Sequence, residues 1–496
     1  MAAVLIAVAS LGPEAHAAGS PQPPNTWQPP GILATTDTLD LALAKLRTES
    51  ADAGRPGGER IERYRVEANG AQIAVTAKVR GADYALAASV DASTVVFGRS
   101  AGERWRATAS GTVHLIRVDV QGDYLDRWPV AALGFDASDC SLAGVANVPA
   151  RAWVIADRPA RDIPRWLYVD VASGDIVREV SREGGRTETY VFDDVRGAPG
   201  ARRAYRWKVS GPGGIADVTL SNSTQSGVTA ADVAVPAQGP PEFLPPVALR
   251  RLSATIDRNE AIKINVRVNG KSRRFQIDSG TPELILSDDT SRAAGHIVLG
   301  HGIAESIGVD DQVARSVPFL DVDFYLDGLL GFDFFRGRIV HVDYADGRVD
   351  VLPRDGFVPP SGAFALPTDW SEGMPVVTAQ IGDTAGSRFV LDLGSQTLVL
   401  RDAFVKRAGS GAGIDFSSGR EATIRYLEGP FSVKSGRVEA VRFGGVKLEG
   451  ESVAVEIPNA ENMDFPMDGI IGTDELQFFE WWFDADGTTT WFAPKS

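Results

Sequence analysis

The chain has 496 residues, more than one hydrophobic core accommodates, so two to four domains are expected. Its composition, 44% hydrophobic and 23% charged, is ordinary for a globular protein. The net charge of −15 argues against nucleic acid or anionic lipid as the main partner, because both favour basic surfaces. No internal apolar run approaches the length of a membrane-spanning helix.

The N-terminus has the pattern of a secretory signal. Residues 2–11 are apolar, and the segment ends on small residues at Ala15-His16-Ala17, although the usual basic start is missing. We therefore expect residues 1–17 to be a signal peptide and the protein to be exported to the periplasm or the medium. A frayed apolar terminus is the alternative. Residues 18–31 form a proline-rich leader that cannot hold regular structure.

Residues 32–233 predict a β-rich front domain with one helix. Leucines recur at helical spacing over 38–50, and strand-like runs follow at 73–79, 112–118 and 166–170. We expect an N-terminal antiparallel β-sheet domain here. Residues 234–247 are dense in proline and predict an extended linker.

The remaining chain is duplicated. Unit one (248–355) contains Asp278-Ser279-Gly280-Thr281 and then Asp327-Gly-Leu-Leu-Gly-Phe-Asp333, whereas unit two (356–496) contains Asp392-Leu393-Gly394-Ser395 and then Asp468-Gly-Ile-Ile-Gly-Thr-Asp474. Each Asp-x-Gly tetrapeptide closes an apolar strand-like run. A single such motif is a common turn, but two of them with the same landmark downstream form a far rarer combination.

This tandem pattern resembles the aspartic proteases, with each unit like a retropepsin-like lobe and the pair arranged as in the pepsin-like enzymes. The resemblance covers about half of the chain, from residue 248 onward. It implies a mainly β fold, a two-lobed aspartic protease with tandem β-barrel lobes, preceded by the antiparallel β-sheet domain.

The resemblance assigns Asp278 and Asp392 as a catalytic pair. Gly280 and Gly394 let the backbone turn so that each carboxylate projects into the cleft between the lobes.

Hydroxyl groups beside the aspartates would orient the carboxylates. Thr281 and Ser395 can bond to the neighbouring carboxylate. In the family a hydroxyl directly after the aspartate bonds across to the other lobe; Ser279 can do this, whereas Leu393 cannot. We expect a one-sided link between the lobes, and this departure puts the competence of the second lobe in question.

The implied activity is hydrolysis of peptide bonds in a polypeptide substrate by a water activated between the two aspartates. It requires no cofactor and no metal, and it predicts a monomer because both lobes lie in one chain.

Two alternatives stay open. A catalytically inactive, protease-like module could bind extended peptides in the same cleft. The front domain is also similar in pattern to periplasmic lipoprotein carriers, through 166–170 and Tyr190-Val-Phe-Asp-Asp-Val-Arg196. In that reading the chain binds lipid or lipoprotein in the envelope and the two units serve as scaffold.

Overall fold

The computed structural model describes most of the chain beyond residue 27. The described ranges are 28–49, 57–68, 71–81, 83–90, 93–107, 112–116, 137–158, 164–183, 186–199, 202–211, 214–225, 227–239, 250–256, 261–294, 297–298, 301–322, 326–426, 429–457 and 467–495. The predicted signal peptide, most of the predicted leader and the second half of the predicted linker lie outside them. In the described part, no helix is long and apolar enough to cross a membrane.

The fold is mainly β, as predicted. The front domain begins with helix α1 (Leu39–Glu49), which confirms the helix predicted over 38–50. Its strands are β1 (Gly57–Ala68), β2 (Ala71–Gly81), β3 (Asp83–Val90), β4 (Ser93–Ser100), β5 (Glu103–Ala107), β6 (Val113–Ile116), β7 (Cys140–Asn147), β8 (Arg151–Asp157), β9 (Arg165–Asp170), β10 (Ile176–Glu183), β11 (Arg186–Arg196), β12 (Arg203–Gly211) and β13 (Gly214–Gln225).

These strands form one antiparallel sheet of thirteen strands in the order β6-β5-β4-β3-β2-β1-β13-β12-β11-β10-β9-β8-β7. Successive strands pair with their chain neighbours, and the β1–β13 pairing joins the two halves. Helix α1 buries Leu43 and Leu46 against Trp153 and Ile155 of β8, where alternate positions of the strand face the helix. At the far end of the sheet, β6 pairs with β5 and is the last of the described strands.

The two units that follow are also built from strands. Unit one contains β14 (Arg250–Arg251), β15 (Ala254–Thr255), β16 (Lys263–Val268), β17 (Lys271–Ile277), β18 (Leu284–Leu286), α2 (Asp288–Ala294), β19 (Ile297–Val298), β20 (His301–Val309), β21 (Gln312–Asp321), β22 (Gly328–Leu330), β23 (Arg338–Asp343) and β24 (Arg348–Pro353). Unit two contains β25 (Phe364–Pro367), β26 (Val376–Ile381), β27 (Thr384–Leu391), β28 (Leu398–Leu400), α3 (Asp402–Ala408), β29 (Ile414–Asp415), β30 (Glu421–Tyr426), β31 (Gly429–Val438), β32 (Ala440–Phe443), β33 (Val446–Glu449), β34 (Ser452–Glu456), β35 (Gly469–Ile471), α4 (Thr473–Leu476), β36 (Phe479–Asp484) and β37 (Thr489–Pro494).

The same strand pairing occurs around both Asp-x-Gly loops. In unit one, β17 pairs in parallel with β22, and Ile277 lies opposite Leu330. In unit two, β27 pairs in parallel with β35, and Leu391 lies opposite Ile471. The middle strand of each unit, β18 or β28, then pairs antiparallel with that partner. The two Asp-x-Gly regions therefore share the same local strand register.

A separate sheet, with strands from both units, joins the two units. Its order is β14-β24-β23-β36-β37-β25, so the closing hairpin of unit one lies beside the closing hairpin of unit two. We call it the joining sheet. The β23–β36 pair sets Ile339 opposite Asp484 and Asp343 opposite Glu480, and it fixes how one unit sits against the other. Apolar residues of both units and of this sheet form one continuous core.

Candidate active site

The two Asp-x-Gly loops leave their strands at equivalent points. The Asp278 N–H donates to the Leu330 carbonyl at 3.2 Å, and the Asp392 N–H donates to the Ile471 carbonyl at 2.9 Å. Each aspartate thus continues the parallel pairing of its strand by one residue before the chain turns. Both are nearly buried, at 9% exposure for Asp278 and 6% for Asp392.

The carboxylate of each aspartate lies against the loop of the other unit. A Cβ atom placed on Gly394 would stand 2.3 Å from Asp278 Oδ2, and one placed on Gly280 would stand 2.6 Å from Asp392 Oδ2. No side chain fits at either glycine without displacing the opposite carboxylate. The structure therefore brings the two predicted aspartates together at one place between the units.

Backbone groups orient both carboxylates. The Gly280 N–H donates to Asp278 Oδ1 at 2.7 Å, and the Gly394 N–H donates to Asp392 Oδ1 at the same distance. The turn around Asp392 therefore makes the same carboxylate contact as the turn around Asp278, although Leu393 stands where the first loop has Ser279.

Ser279 links the two loops. Its hydroxyl donates to the Leu391 carbonyl at 2.7 Å and accepts the Leu393 N–H at 2.8 Å, so it clamps both neighbours of Asp392. Gln276 adds a second link, because its side-chain amide donates to the Gly394 carbonyl at 2.8 Å. Sequence reasoning missed Gln276, which sits in β17 without any motif to mark it.

In unit two, the residue that follows the aspartate has an apolar side chain. Leu393 is fully buried in the shared core. Its side chain contributes packing in place of a hydrogen bond. The link made by residues next to the aspartates is therefore one-sided, as the sequence predicts, although the Leu393 backbone still takes part in it.

The two residues predicted to orient the carboxylates through hydroxyls lie in the loops and are buried, at 2% exposure for Thr281 and 7% for Ser395. The Thr281 carbonyl accepts the Phe332 N–H at 3.2 Å, and the Ser395 carbonyl accepts the Thr473 N–H at 2.9 Å. These matching backbone bonds tie each loop to the residue that follows Leu-Leu-Gly or Ile-Ile-Gly in its unit.

The glycine of each second landmark permits a close approach of two backbones. A Cβ on Gly331 would lie 2.2 Å from the Glu283 carbonyl oxygen, and one on Gly472 would lie 2.7 Å from the Gln396 backbone. This geometry places Leu-Leu-Gly and Ile-Ile-Gly directly beside the aspartate loops.

The downstream motif of each unit begins with an aspartate, and this aspartate binds the strand that leads into the Asp-x-Gly loop. Asp327 accepts the Arg274 N–H at 2.7 Å, and Asp468 accepts the Arg388 N–H at 3.2 Å. Both arginines lie four residues before the aspartate of their loop. The duplication thus includes a side-chain contact that the sequence pattern alone did not assign.

Tyr344, in the turn between β23 and β24, is a further ionisable group, and the charge of Asp392 affects its pKa. Burial, and then the charge of Asp392, raise the pKa of its phenol well above the ordinary value. Both effects favour the neutral phenol.

Two facing carboxylates in a nearly buried site cannot both carry a charge without a large electrostatic cost, so one proton shared between them is favoured. Such a pair can accept a proton from a bound water and donate one to an adjacent oxygen or nitrogen. Within the described ranges, no three His, Cys, Asp or Glu side chains group in a way that could hold a metal ion.

Comparison with known proteins supports the unit-two part of this description. Residues 377–474, which include Asp392 and the Ile-Ile-Gly segment, match the family model described as aspartyl protease. No curated protein matches the chain. Among solved structures, a DUF1329 family protein from Desulfovibrio piger is similar over 39% of this chain and 95% of its own, at 13% identity and a TM-score of 0.29. The chain therefore contains a region similar to aspartyl proteases.

Proposed function

We propose that the protein is an aspartic endopeptidase whose catalytic pair is Asp278 and Asp392. The proposal rests on the packing of each carboxylate against the glycine of the opposite loop. A Cβ atom placed on Gly394 would lie 2.3 Å from Asp278 Oδ2, and one placed on Gly280 would lie 2.6 Å from Asp392 Oδ2. The family match over residues 377–474 supports the same reading for unit two.

In the proposed reaction, the ionised member of the pair takes a proton from a water held between the two carboxylates. That water attacks the carbonyl carbon of the peptide bond, while the protonated member polarises the carbonyl oxygen and later supplies a proton to the leaving nitrogen. Gly280 and Gly394 hold the carboxylates through their N–H groups, and Ser279 fixes the separation of the loops. The reaction has no covalent enzyme intermediate.

The proposal predicts activity at acid to mildly acidic pH, because the singly protonated pair has to be populated. The proposed substrate is a polypeptide in an extended conformation, the substrate class that similarity to aspartyl proteases suggests. Both loops come from one chain, so we expect the monomer to be competent.

The decisive experiment is cleavage of an unfolded protein at acid pH by the wild type, Asp278→Asn and Asp392→Asn. Each substitution keeps the side-chain shape and removes the ionisable group, so each should abolish cleavage. Asp289→Asn is a matched control, because the Asp289 side chain is 91% exposed in α2. A statine-type peptide, whose tetrahedral C–OH group mimics the intermediate formed by water attack, should inhibit the wild type.

Full activity in either Asn variant would refute a shared catalytic pair. The alternative function, a module that binds extended peptides without cleaving them, is favoured by one observation, the buried Leu393 in place of a hydroxyl residue. It predicts that the wild type binds the statine-type peptide but leaves the unfolded protein intact.

Export remains part of the proposal. If residues 1–17 are a signal peptide, N-terminal sequencing of the protein from a periplasmic or culture fraction should begin after Ala17. A chain that retains Met1 inside the cell would refute export without affecting the assignment of the catalytic pair.

A further inference from the structure

Strand β6, at the edge of the front sheet, contacts both units. Strand β6 pairs with β5 on one side, and on its other side the Leu115 N–H donates to the Ser371 carbonyl of unit two at 2.8 Å. The edge of a sheet presents backbone N–H and C=O groups that can bond to another segment, and here that segment is the one that leads into β26.

His114 of β6 is buried between the units. Its Nε2 lies 2.8 Å from Asp333 Oδ2, with both side chains at 10% exposure or less. A Cβ placed on Gly373 would lie 2.7 Å from His114 Cε1 and 2.4 Å from Pro282 Cβ. The imidazole therefore fills a space bounded by Pro282 of unit one and Gly373 of unit two.

Further polar contacts fix the same edge to unit one. Arg106 of β5 forms an ion pair with Glu283, and both side chains are 10% exposed. Thr112 accepts a hydrogen bond from Arg336 at 3.1 Å, and Arg336 also pairs with Asp486 of the joining sheet at 2.9 Å. Charged groups removed from water in this way depend on their partners, so the edge cannot slide without leaving charges unpaired.

On the unit-one side, Asp333 connects β6 directly to the Asp278 loop. The Asp333 N–H donates to the Pro282 carbonyl at 2.8 Å, and Pro282 lies four residues after Asp278. The side chain that His114 contacts thus belongs to the residue that holds the exit of the loop.

On the unit-two side, the contacts lead to the Asp392 loop. Ser371 and Gly373, which touch β6, are followed by Pro375, whose carbonyl accepts the Leu391 N–H at 3.0 Å. Leu391 is the residue before Asp392 and is also the acceptor for Ser279. One short strand of the front domain therefore touches the supports of both loops.

We propose that β6 is an intramolecular brace that holds the Asp278 and Asp392 loops in their working arrangement, with His114 as its central positioning residue. This inference rests on the proposed function. Loss of the brace shifts the loops relative to each other, and a small shift between two catalytic carboxylates is costly to the rate but not to substrate binding.

The test compares the full-length wild type with His114→Ala and His114→Gln. Alanine removes the contact with Asp333 and leaves a gap beside Pro282, whereas glutamine keeps a donor of similar reach. Lys78→Ala is the control, since it removes a front-domain ion pair of 2.7 Å to Asp232.

His114→Ala should lower kcat by about tenfold to a hundredfold with KM unchanged. Glutamine should restore most of the rate, and Lys78→Ala should match the wild type. Unchanged kcat in His114→Ala, or glutamine no better than alanine, would refute the brace. A higher kcat would also refute it, because the front domain would then restrain the site.

A second readout separates this inference from the proposed function. Hydrogen exchange of residues 278–283 and 371–375 should rise in His114→Ala whether or not the wild type cleaves protein. An inactive wild type with this rise refutes the protease and retains the brace contact, whereas exchange equal to the wild type refutes the brace. If His114→Ala fails to fold, Thr112→Ala, which removes the bond from Arg336, has to show the same changes at smaller size.

Discussion

Replacement of Ser279 by alanine removes one of the two links between the units at the Asp-x-Gly loops and leaves the bond from Gln276 to Gly394. The hydroxyl is fully buried and makes two bonds, to the Leu391 carbonyl at 2.7 Å and from the Leu393 N–H at 2.8 Å. Alanine supplies neither a donor nor an acceptor. Both backbone groups of unit two would lose their partner.

The cost follows from these two groups. A buried donor or acceptor left without a partner costs about 1–3 kcal/mol, so we expect a loss of about 2–4 kcal/mol in the free energy of unfolding once the loops relax partly. The rate should fall as well, because the position of Asp392 relative to Asp278 depends on its two neighbours.

Urea unfolding at acid pH measures the first effect, and cleavage of an unfolded protein measures the second. Ser435→Ala is a matched control. Its hydroxyl accepts the Arg420 N–H at 2.9 Å and donates to the Arg420 carbonyl at 3.1 Å, but this pair of bonds is exposed to water. We expect a loss of about 1 kcal/mol or less there.

Equal costs for Ser279→Ala and Ser435→Ala would refute the reasoning, because burial would then add nothing to the two bonds. A large cost in stability with full activity would separate the link from catalysis. In that case Ser279 would be a structural residue only.

Three other substitutions test the description of the site. Gly394→Ala places a Cβ 2.3 Å from Asp278 Oδ2 and should abolish cleavage in a folded protein, whereas Gly227→Ala, with open space around it, should be silent in both assays. Burial, and then the charges of Asp474 and Glu451, raise the pKa of Glu475 well above its ordinary value, so the folded chain holds this proton more tightly than the unfolded chain. The melting temperature should therefore fall as pH rises through and above the ordinary titration range of a glutamate, and Glu475→Gln should flatten that fall; equal slopes would contradict the assignment. Leu393→Ala should lower the free energy of unfolding by about 2–5 kcal/mol in urea, and a smaller loss would show that the fully buried side chain is loosely packed.

The repeated motifs were enough to predict that Asp278 and Asp392 meet. Two short motifs in the same order impose the same strand register, and the structure shows that register at Ile277–Leu330 and Leu391–Ile471. The role of Gly280 and Gly394 could also be interpreted from the sequence, because a sharp turn of the backbone favours glycine.

The contacts between the front domain and the two units could not be predicted. His114 and Asp333 are separated by more than two hundred residues, and nothing around His114 marks it in the sequence. Gln276 was missed for a related reason, since a polar residue in an alternating strand looks like any solvent-facing position. Local periodicity specifies which face a residue occupies, but not what that face meets.

The joining sheet has a consequence for the order in which the protein can fold. Strand β23 of unit one is completed by β36, which follows it by more than a hundred residues, and β25 is completed by β37 at the far end of the chain. A nascent chain on the ribosome therefore presents the buried edge of β23 without its partner until the last hairpin has emerged. Such an edge pairs readily with other strands, so the interval favours aggregation. Premature termination before Phe479 would thus leave both units open, and the cell would have to recognise the product as a misfolded chain.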